Sequence, residues 1–364
     1  MNVDEIVIHR FRGLKEVALK GLSRVNLLVG PNDSGKTSIL EAVAAFSRPL
    51  DLRVWLDATS RREILRRDDP LFVWLEWMFP HDAGSNNGAF TAADTRISGS
   101  GAFAVKEARA SYKKKSRIRA RSPRDADSGL NEEGYEQPGA GFDLSVSYAG
   151  AGQGRDPKLE YELWEGEDLL LDVESGQFAL PVRTVTPVSH RAEYLRLLSQ
   201  AAITGVKPEL LALLRNIDSD IHDVQILSPT GKTPVIYIDY ARVGLMPLSA
   251  FGDGVRRVLF IALTLQLAAG GVLLIDEIES SIHVTALGPT FSWIVRSCEK
   301  LDIQLFATTH SLEAVDAMVE AEESNLNLIA GYRLERRKGL VEAQRIDGEL
   351  LHRLRHERGL DVRL

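Results

Sequence analysis

The stretch Gly30-Pro31-Asn32-Asp33-Ser34-Gly35-Lys36-Thr37 decides the fold, because it fits the pattern G-x-x-x-x-G-K-[ST] in full. An apolar run from Val25 to Val29 precedes it and predicts a buried strand. Thr37 to Phe46 follow with apolar side chains at helical spacing. In a strand, glycine-rich loop and helix of this kind, main-chain N–H groups can close around phosphate oxygens. We therefore expect a phosphate-binding loop in an α/β fold.

This loop supplies most of the candidate nucleotide contacts. Lys36 is expected to reach the β- and γ-phosphates, and the Thr37 hydroxyl is expected to hold Mg²⁺. The alternative is a chance match on a surface loop, and the flanking strand and helix argue against it. The predicted contacts with ATP are Gly30, Asn32, Asp33, Ser34, Gly35, Lys36, Thr37 and Ser38.

Two acids follow a second apolar run. Val272 to Ile275 predict a buried strand, and Asp276 and Glu277 come directly after it. A parallel strand that ends in acids places them at the ligand edge of an α/β sheet. Asp276 is then expected to orient Mg²⁺ or its water, and Glu277 to act as general base for the attacking water. Alone, the motif is equally consistent with a strand that ends in solvent. Beside the phosphate loop it predicts a catalytic site.

A third buried strand, Gln304 to Ala307, leads into Thr308-Thr309-His310-Ser311. A histidine at this edge can donate a hydrogen bond to a γ-phosphate or position the attacking water. The usual alternative for a single histidine is a structural role with satisfied hydrogen bonds. Its place one strand after the acids favours the catalytic interpretation of His310.

Composition is that of an ordinary globular chain. Of its 364 residues, 44% are hydrophobic and 26% are charged, and the net charge of −7 does not favour nucleic-acid binding by the whole protein. A single cysteine, Cys298, excludes an internal disulfide and favours a reducing cytoplasm. The uncharged stretch Val258 to Ile275 is divided by Gly270-Gly271. It predicts a buried helix, a turn and a buried strand rather than a membrane span.

The chain divides into three parts by composition. Residues 1–79 and 186–364 predict two halves of one ATPase core, since strands and helices alternate there. Residues 80–185 are rich in glycine, serine and charge, and their short alternating runs predict a mainly β insertion projecting from the core.

A basic tract lies within that insertion. Lys113, Lys115, Arg117, Arg119 and Arg121 all occupy odd positions, so a strand would place them on one face. Such a face could follow a nucleic-acid backbone, dock an acidic protein partner, or be a solvated hairpin. The residues leave these three interpretations open.

The chain resembles the ABC-type ATPase heads of the SMC, RecF and OLD families, and most of all the stand-alone OLD-like ATPases of bacteria. The resemblance implies a P-loop NTPase head that works as a homodimer or higher even oligomer. Besides the phosphate loop and the acids, it is carried by Ile8 to Gly13, Pro247 to Gly254, Thr309 to Ser311 and Gly359 to Arg363.

In such heads a signature motif from one subunit caps the ATP held by the other. Here the signature departs from the consensus L-S-G-G-Q, and its candidate residues are Ser249, Gly252, Asp253 and Gly254. Whether Ser249 or the Gly252-Asp253-Gly254 turn caps the phosphate stays open at this point. The resemblance also implies ATP and Mg²⁺ as ligands.

The resemblance suggests a cytoplasmic, ATP-driven switch in anti-phage defence, with no membrane association. Some OLD-like proteins carry a nuclease domain after the ATPase, but the stretch after Ser311 is short and lacks D-x-D. We therefore expect the effector to be a separately encoded protein. The alternatives are a DNA-repair ATPase that binds DNA through the basic tract, and a scaffold that hydrolyses ATP slowly.

Overall fold

Helix α1 lies between two six-stranded sheets and carries the phosphate loop at its start. The computed structural model describes residues 3–60, 75–80, 92–119, 137–150, 156–164, 180–189, 194–229, 231 and 233–363. For 57–60, 92, 117–119 and 137–140 the description covers the main chain alone. Both sheets contribute side chains to the core around α1, so the helix is buried along most of its length.

The core sheet has the strand order β15-β14-β3-β13-β12-β8, parallel except for β15. Its strands are β3 (Val25–Val29), β8 (Val182–Val185), β12 (Val272–Ile275), β13 (Gln304–Thr308), β14 (Ile329–Arg337) and β15 (Leu340–Asp347). Every residue of β3, β12 and β13 is buried, as expected of central parallel strands covered on both faces. Their carboxyl ends place the phosphate loop, the two acids and the histidine at one edge.

The second sheet is antiparallel, with the order β2-β1-β4-β5-β6-β7. Its strands are β1 (Val3–Phe11), β2 (Leu14–Lys20), β4 (Ala92–Gly101), β5 (Val105–Arg119), β6 (Gln137–Gly150) and β7 (Lys158–Trp164). The predicted insertion is therefore β-structured where it is described. It does not project as a separate body, because β4 pairs with β1 and the strands of both regions share one core.

One boundary of the predicted ATPase core differs from the boundary of the core sheet in the structure. Strand β8 pairs with β12 in parallel register, Val182 opposite Val272 and Val185 opposite Ile275. The core sheet thus resumes at Val182, a few residues before the boundary of 186 predicted from composition. A strand of four residues between segments of different composition gives too little periodicity to be assigned from sequence.

Between the two sheets lie α1 (Lys36–Ser47) and α2 (Leu52–Ser60). The helices that pack in the core on the other face of the core sheet are, in the described part of the chain, α3 (Tyr194–Ile203), α4 (Lys207–Ile217), α5 (Asp253–Gln266), α6 (Val284–Lys300), α7 (Leu312–Glu320) and α8 (Gly348–His352). The stretch from Val258 to Ile275 is confirmed as a buried helix, a turn at Gly270 with φ of 72°, and a buried strand. No helix in the described part of the chain is long and apolar enough to cross a membrane.

A small third sheet packs beside α5. It has the order β11-β10-β9 and consists of β9 (Ile221–Leu227), β10 (Val235–Tyr240) and β11 (Gly244–Pro247). The sequence motifs gave no indication of strand β9. It forms because it pairs with β10, and the residues near it in the sequence do not predict that pairing.

Candidate nucleotide site

The phosphate loop connects β3 to α1 in the conformation that its glycines permit. Gly30 and Gly35 have φ of 145° and 92°, and Asp33 has φ of 59°. A Cβ added to Gly30 would lie 2.5 Å from the carbonyl oxygen of Leu334, so glycine is required there by close packing as well as by φ. No side chain caps the start of α1, so its first N–H groups face the loop and remain suited to an anion.

Lys36 lies over this loop. Its Nζ donates hydrogen bonds to the carbonyl oxygens of Gly30 and Pro31, both at 2.8 Å, and the residue is only 6% exposed. Burial lowers the pKa of Lys36, and the nearby carboxylates of Asp276 and Glu277 oppose that shift. The ammonium is therefore already desolvated and lies beside the place where phosphate oxygens would bind.

Thr37 and Asp276 meet across the sheet edge, as the sequence predicts for a magnesium site. The Thr37 hydroxyl donates to Oδ2 of Asp276 at 3.1 Å. Thr308 donates to Oδ1 of the same carboxylate at 2.6 Å and accepts a hydrogen bond from the main-chain N–H of Glu277 at 2.8 Å. A hydroxyl and a carboxylate at this distance fit Mg²⁺, which prefers hard oxygen ligands and completes its shell with water and phosphate.

Glu277 projects into the same cleft from a left-handed main-chain conformation, with φ of 48°. A residue other than glycine adopts this conformation only where its surroundings hold it. Here the Thr308 hydroxyl binds its N–H group, and Arg257 donates to its carbonyl oxygen at 3.2 Å. The predicted general base is thus fixed at its main chain while its carboxylate faces the cleft.

Arg257 is a residue that sequence reasoning missed. It is fully buried on α5, and its guanidinium donates to the carbonyl oxygens of Asp276, Glu277 and Thr186. Burial lowers its pKa to about 10, and the neighbouring carboxylates oppose the shift. The available signal was an arginine directly before the apolar run Val258 to Leu263, where a side chain of α5 must be buried.

His310 lines the cleft together with Glu277, as predicted. Oε1 of Glu279 accepts hydrogen bonds from the main-chain N–H groups of His310 and Ser311 at 2.9 and 3.2 Å. The Ser311 hydroxyl then accepts from the N–H group of Ala314 and caps α7. The imidazole is therefore presented at a helix start whose main chain is tied to the acid-bearing loop.

The predicted signature residues occupy two different structures. Gly252 is the N-cap of α5, and Asp253 and Gly254 form its first turn. Ser249 lies three residues earlier in an exposed 3₁₀ turn, Leu248–Ala250. A Cβ on Gly254 would lie 2.9 Å from the carbonyl oxygen of Ser281, so this glycine lets α5 touch the loop after the acids. The Gly252-Asp253-Gly254 turn therefore presents helix N–H groups, and Ser249 does not cap this helix.

The cleft has a volume of about 900 Å³ and is lined by both polar and apolar side chains. The phosphate loop, Glu277 and His310 contribute polar groups, and Leu14, Trp77 and Val341 contribute apolar surface. Trp77 is 57% exposed in this wall, and it is a second residue of the cleft that the sequence motifs did not indicate.

The basic tract lies away from the cleft on β5. Lys113 and Lys115 are both exposed on the predicted face, but Lys115 pairs with Asp143 at 2.7 Å and with Glu162 at 3.8 Å. The hydrogen bond that Lys115 donates to Asp143 is the largest cause of the raised pKa of Lys115. The side chains of Arg117 and Arg119, and all of Arg121, lie outside the described residues. The described part of this face therefore mixes both signs of charge.

Two sequence families match different parts of the chain. A profile described as "AAA domain, putative AbiEii toxin, Type IV TA system" matches residues 166–316, and one described as "AAA ATPase domain" matches residues 1–124. Together these matches include the phosphate loop, the two acids and His310.

Curated relatives match shorter stretches. The chain is 38% identical over 69 residues to an uncharacterized protein of Methanocaldococcus jannaschii, covering 19% of this chain and 60% of that protein. It is 56% identical over 43 residues to the DNA replication and repair protein RecF of Acinetobacter baylyi, covering 12% of each. The matched stretches thus span less than two thirds of these relatives.

Among solved structures, the fold is similar to a crystal structure of an Smc head bound to the C-winged helix domain of ScpA. The TM-score is 0.51 at 13% sequence identity, and the match covers 99% of this chain and 100% of that chain. The fold is therefore that of an ABC-type P-loop ATPase head. The chain is thus similar in sequence to AAA ATPase domains over two separate parts of its length, and similar in fold to an Smc head.

Proposed function

We propose that this protein binds ATP with Mg²⁺, hydrolyses it as a head-to-head dimer, and thereby controls a separately encoded effector. The observation that carries the proposal is the hydrogen-bonded group formed by Thr37, Asp276, Thr308 and Glu277 at the edge of the cleft. It brings a metal-binding hydroxyl, a metal-binding carboxylate and a general base together beside the phosphate loop.

Each residue then has a role that its position supports. The N–H groups at the start of α1 and the ammonium of Lys36 hold the phosphates. Thr37 and Asp276 hold Mg²⁺, which neutralises charge that develops on the phosphate oxygens. Glu277 accepts a proton from the attacking water, and His310 donates a hydrogen bond to the γ-phosphate or positions that water.

The positions of the signature residues support the proposed dimer. Gly252, Asp253 and Gly254 are not part of the wall of their own cleft, although their helix start presents N–H groups suited to an anion. A second head is the natural source of a phosphate for them. The contact of Gly254 with Ser281 ties that helix start to the loop after the acids. When the helix start of one head caps the ATP of the other head, the contact therefore also affects the ATP site in its own chain.

The effector role rests on analogy with OLD-like ATPases, and a cytoplasmic location goes with it. The family description that names an AbiEii toxin and a type IV toxin–antitoxin system supports a defence role. The single cysteine, Cys298, is buried and supports a reducing compartment. The similarity to RecF supports the alternative, genome maintenance with direct DNA binding.

A comparison of wild type with Glu277→Gln tests the catalytic proposal. We expect the variant to bind ATP, to lose at least about 100-fold in phosphate release, and to accumulate as a dimer or larger even assembly in light scattering. Lys36→Ala is the matched control, because it should bind no ATP and stay in the nucleotide-free state. A Glu277→Gln protein that holds ATP as a monomer contradicts the head-to-head arrangement.

The DNA-binding alternative has its own test. Reversing the charge of Lys115, Arg117 and Arg119 should abolish binding of duplex DNA and leave ATP hydrolysis unchanged if the basic tract follows the backbone. Asp143→Asn with Glu162→Gln is the opposite variant, because it removes the acids beside Lys115 and should then strengthen binding. Absence of DNA binding in wild type at low salt favours the effector role.

A further inference from the structure

The main chain of His310 is held on both sides. Its N–H group donates to Oε1 of Glu279 at 2.9 Å. Its carbonyl oxygen accepts a hydrogen bond from Nη1 of Arg363 at 2.5 Å. The two peptide groups that flank the Cα atom of His310 are therefore both tied to charged side chains. Since these peptide groups set φ and ψ, they also set the direction in which the imidazole leaves the main chain.

Arg363 reaches His310 in a fixed orientation. Its Nε and Nη2 donate to the two carboxylate oxygens of Asp361 at 2.9 and 2.6 Å, which is a bidentate pair. The N–H group of Arg363 also donates to Asp361 at 3.0 Å. This pairing lowers the pKa of Asp361 to about 2, so the pair stays ionised across the neutral range. The remaining Nη1 is the donor that reaches the carbonyl of His310.

The segment that carries this pair is anchored to the helix that follows His310. Arg355 forms a bidentate pair with Asp316 of α7, at 2.6 and 2.8 Å, and donates to the carbonyl oxygen of Leu360 at 2.6 Å. Val362 is 3% exposed and belongs to the hydrophobic core around α7. The C-terminal segment and the histidine are thus both tied to one helix.

We propose that residues 360–363 form a brace that positions His310 for hydrolysis, with Arg363 as the positioning residue. Arg363 is absent from the wall of the cleft and acts through the main chain of His310. The inference rests on the proposed ATPase activity. It assigns the brace an effect on the rate of the chemical step and none on the binding of ATP, because Arg363 donates its hydrogen bonds to His310 and Asp361. Misplacing a catalytic group by about 1 Å can lower a rate by about 100-fold.

The test compares Arg363→Ala and Arg363→Lys with Arg358→Ala in the full chain. Arg358 is an exposed arginine of the same segment, so its variant controls for loss of a positive charge nearby. Lysine keeps the charge of Arg363 but loses the bidentate pair. Asp361→Asn provides a second variant should Arg363→Ala fail to fold. The measurements are the single-turnover rate of phosphate release, the Kd for ATP and the melting temperature.

We expect Arg363→Ala to lower the single-turnover rate by about tenfold or more while the Kd for ATP changes less than about twofold. Arg363→Lys and Asp361→Asn should fall between this variant and wild type, and Arg358→Ala should match wild type. The decisive readout is a double-mutant cycle with His310→Ala. Once the imidazole is absent, Arg363→Ala should have no further effect on the rate.

Three outcomes separate the inference from the proposed function. If Arg363→Ala hydrolyses ATP at the wild-type rate, or lowers the rate equally with and without His310, the brace does not act through the histidine and the inference is overturned. If Arg363→Ala loses ATP affinity and rate together with a large fall in melting temperature, and Asp361→Asn does the same, the segment is merely structural. If wild type does not hydrolyse ATP, or His310→Ala is fully active, the proposed role of the histidine fails first.

Discussion

The hydroxyl of Thr308 donates a hydrogen bond to Oδ1 of Asp276 at 2.6 Å, across the ends of two parallel strands. The register pairs Ile275 with Ala307, so the next residues along the chain, Asp276 and Thr308, lie side by side. The same hydroxyl accepts a hydrogen bond from the N–H group of Glu277. One threonine therefore orients the predicted metal ligand and the predicted general base together.

Thr308→Val should accordingly lower the rate of ATP hydrolysis more than the small change in side-chain structure suggests. Valine keeps the shape but leaves an N–H group and a carboxylate oxygen without this partner, which costs about 1–2 kcal/mol in unfolding free energy. We expect phosphate release to fall by about tenfold or more, since Asp276 and Glu277 both lose their orientation. Stopped-flow phosphate release and chemical denaturation measure the two effects.

Thr290→Val is the matched control for that variant. Thr290 is fully buried on α6, and its hydroxyl has no hydrogen-bond partner among the described residues. Replacing it with valine should leave hydrolysis unchanged and should not lower stability. A Thr308→Val protein that behaves like Thr290→Val contradicts the orienting role of Thr308.

Arg257→Met tests the buried guanidinium on α5. The change leaves three main-chain carbonyl oxygens without their donor in a buried site, although it also removes a desolvated charge. We expect the free energy of unfolding to fall by about 2–4 kcal/mol and hydrolysis to fall with it. Arg256→Met, at the neighbouring position, removes only a partly exposed pair with Asp253 and should cost less than about 1 kcal/mol. If Arg257→Met and Arg256→Met lose the same amount of unfolding free energy, the proposed role of the buried guanidinium of Arg257 is contradicted.

Trp77→Ala should weaken ATP binding by about tenfold if its ring stacks on the base, because such stacking contributes about 1–3 kcal/mol. Its exposure of 57% in the wall of the cleft motivates this prediction. Binding of inorganic tripolyphosphate, which has no base, should be unaffected, and Trp77→Phe should keep most of the affinity for ATP. Calorimetry with both ligands distinguishes stacking from a structural role of Trp77. If Trp77→Ala loses affinity for tripolyphosphate as well as for ATP, the role is structural.

As pH rises, the affinity for ATP should begin to fall at a lower pH than it would if Lys36 had the pKa of an ordinary lysine. Burial lowers the pKa of Lys36 in the folded protein, so its ammonium loses its proton below the usual value of 10.5. Lys36 is a base, so the positive charge that attracts phosphate is complete below the lowered pKa. That charge is lost as pH rises through the lowered pKa. Binding curves from pH 7 to about 10.5 should show this loss in wild type. Lys36→Arg should show none, because a guanidinium does not titrate there.

The elements of the candidate site were predictable to a large extent. The strands Val25–Val29, Val272–Ile275 and Gln304–Thr308 lie within one residue of where the apolar runs predicted them, and α1 begins one residue earlier than expected. These elements are specified locally, because a buried parallel strand is mostly apolar and a phosphate loop needs glycine at fixed positions. Their cofactor and residue roles remain proposals that the experiments above address.

The parts that escaped prediction depend on contacts between distant residues. Strand β8 fell within the predicted insertion, and β9 was not predicted, since each becomes a strand through its neighbour in the sheet. The position of Trp77 in the cleft wall could not be inferred either. An apolar residue in sequence can face a core or a ligand, and only packing distinguishes the two.

Sequence alone therefore determined the class of fold and the chemistry of the site: a phosphate loop, two acids and a histidine in an order that one parallel sheet brings to one edge. Tertiary structure decided which side chains hold those groups in place. Thr308 reaches Asp276, Arg257 reaches the carbonyl of Glu277, and Arg363 reaches His310 across a separation of 53 residues. The physical reason is that local spacing encodes periodicity and turn chemistry, whereas a hydrogen bond between distant residues exists only once the layers of the fold have packed.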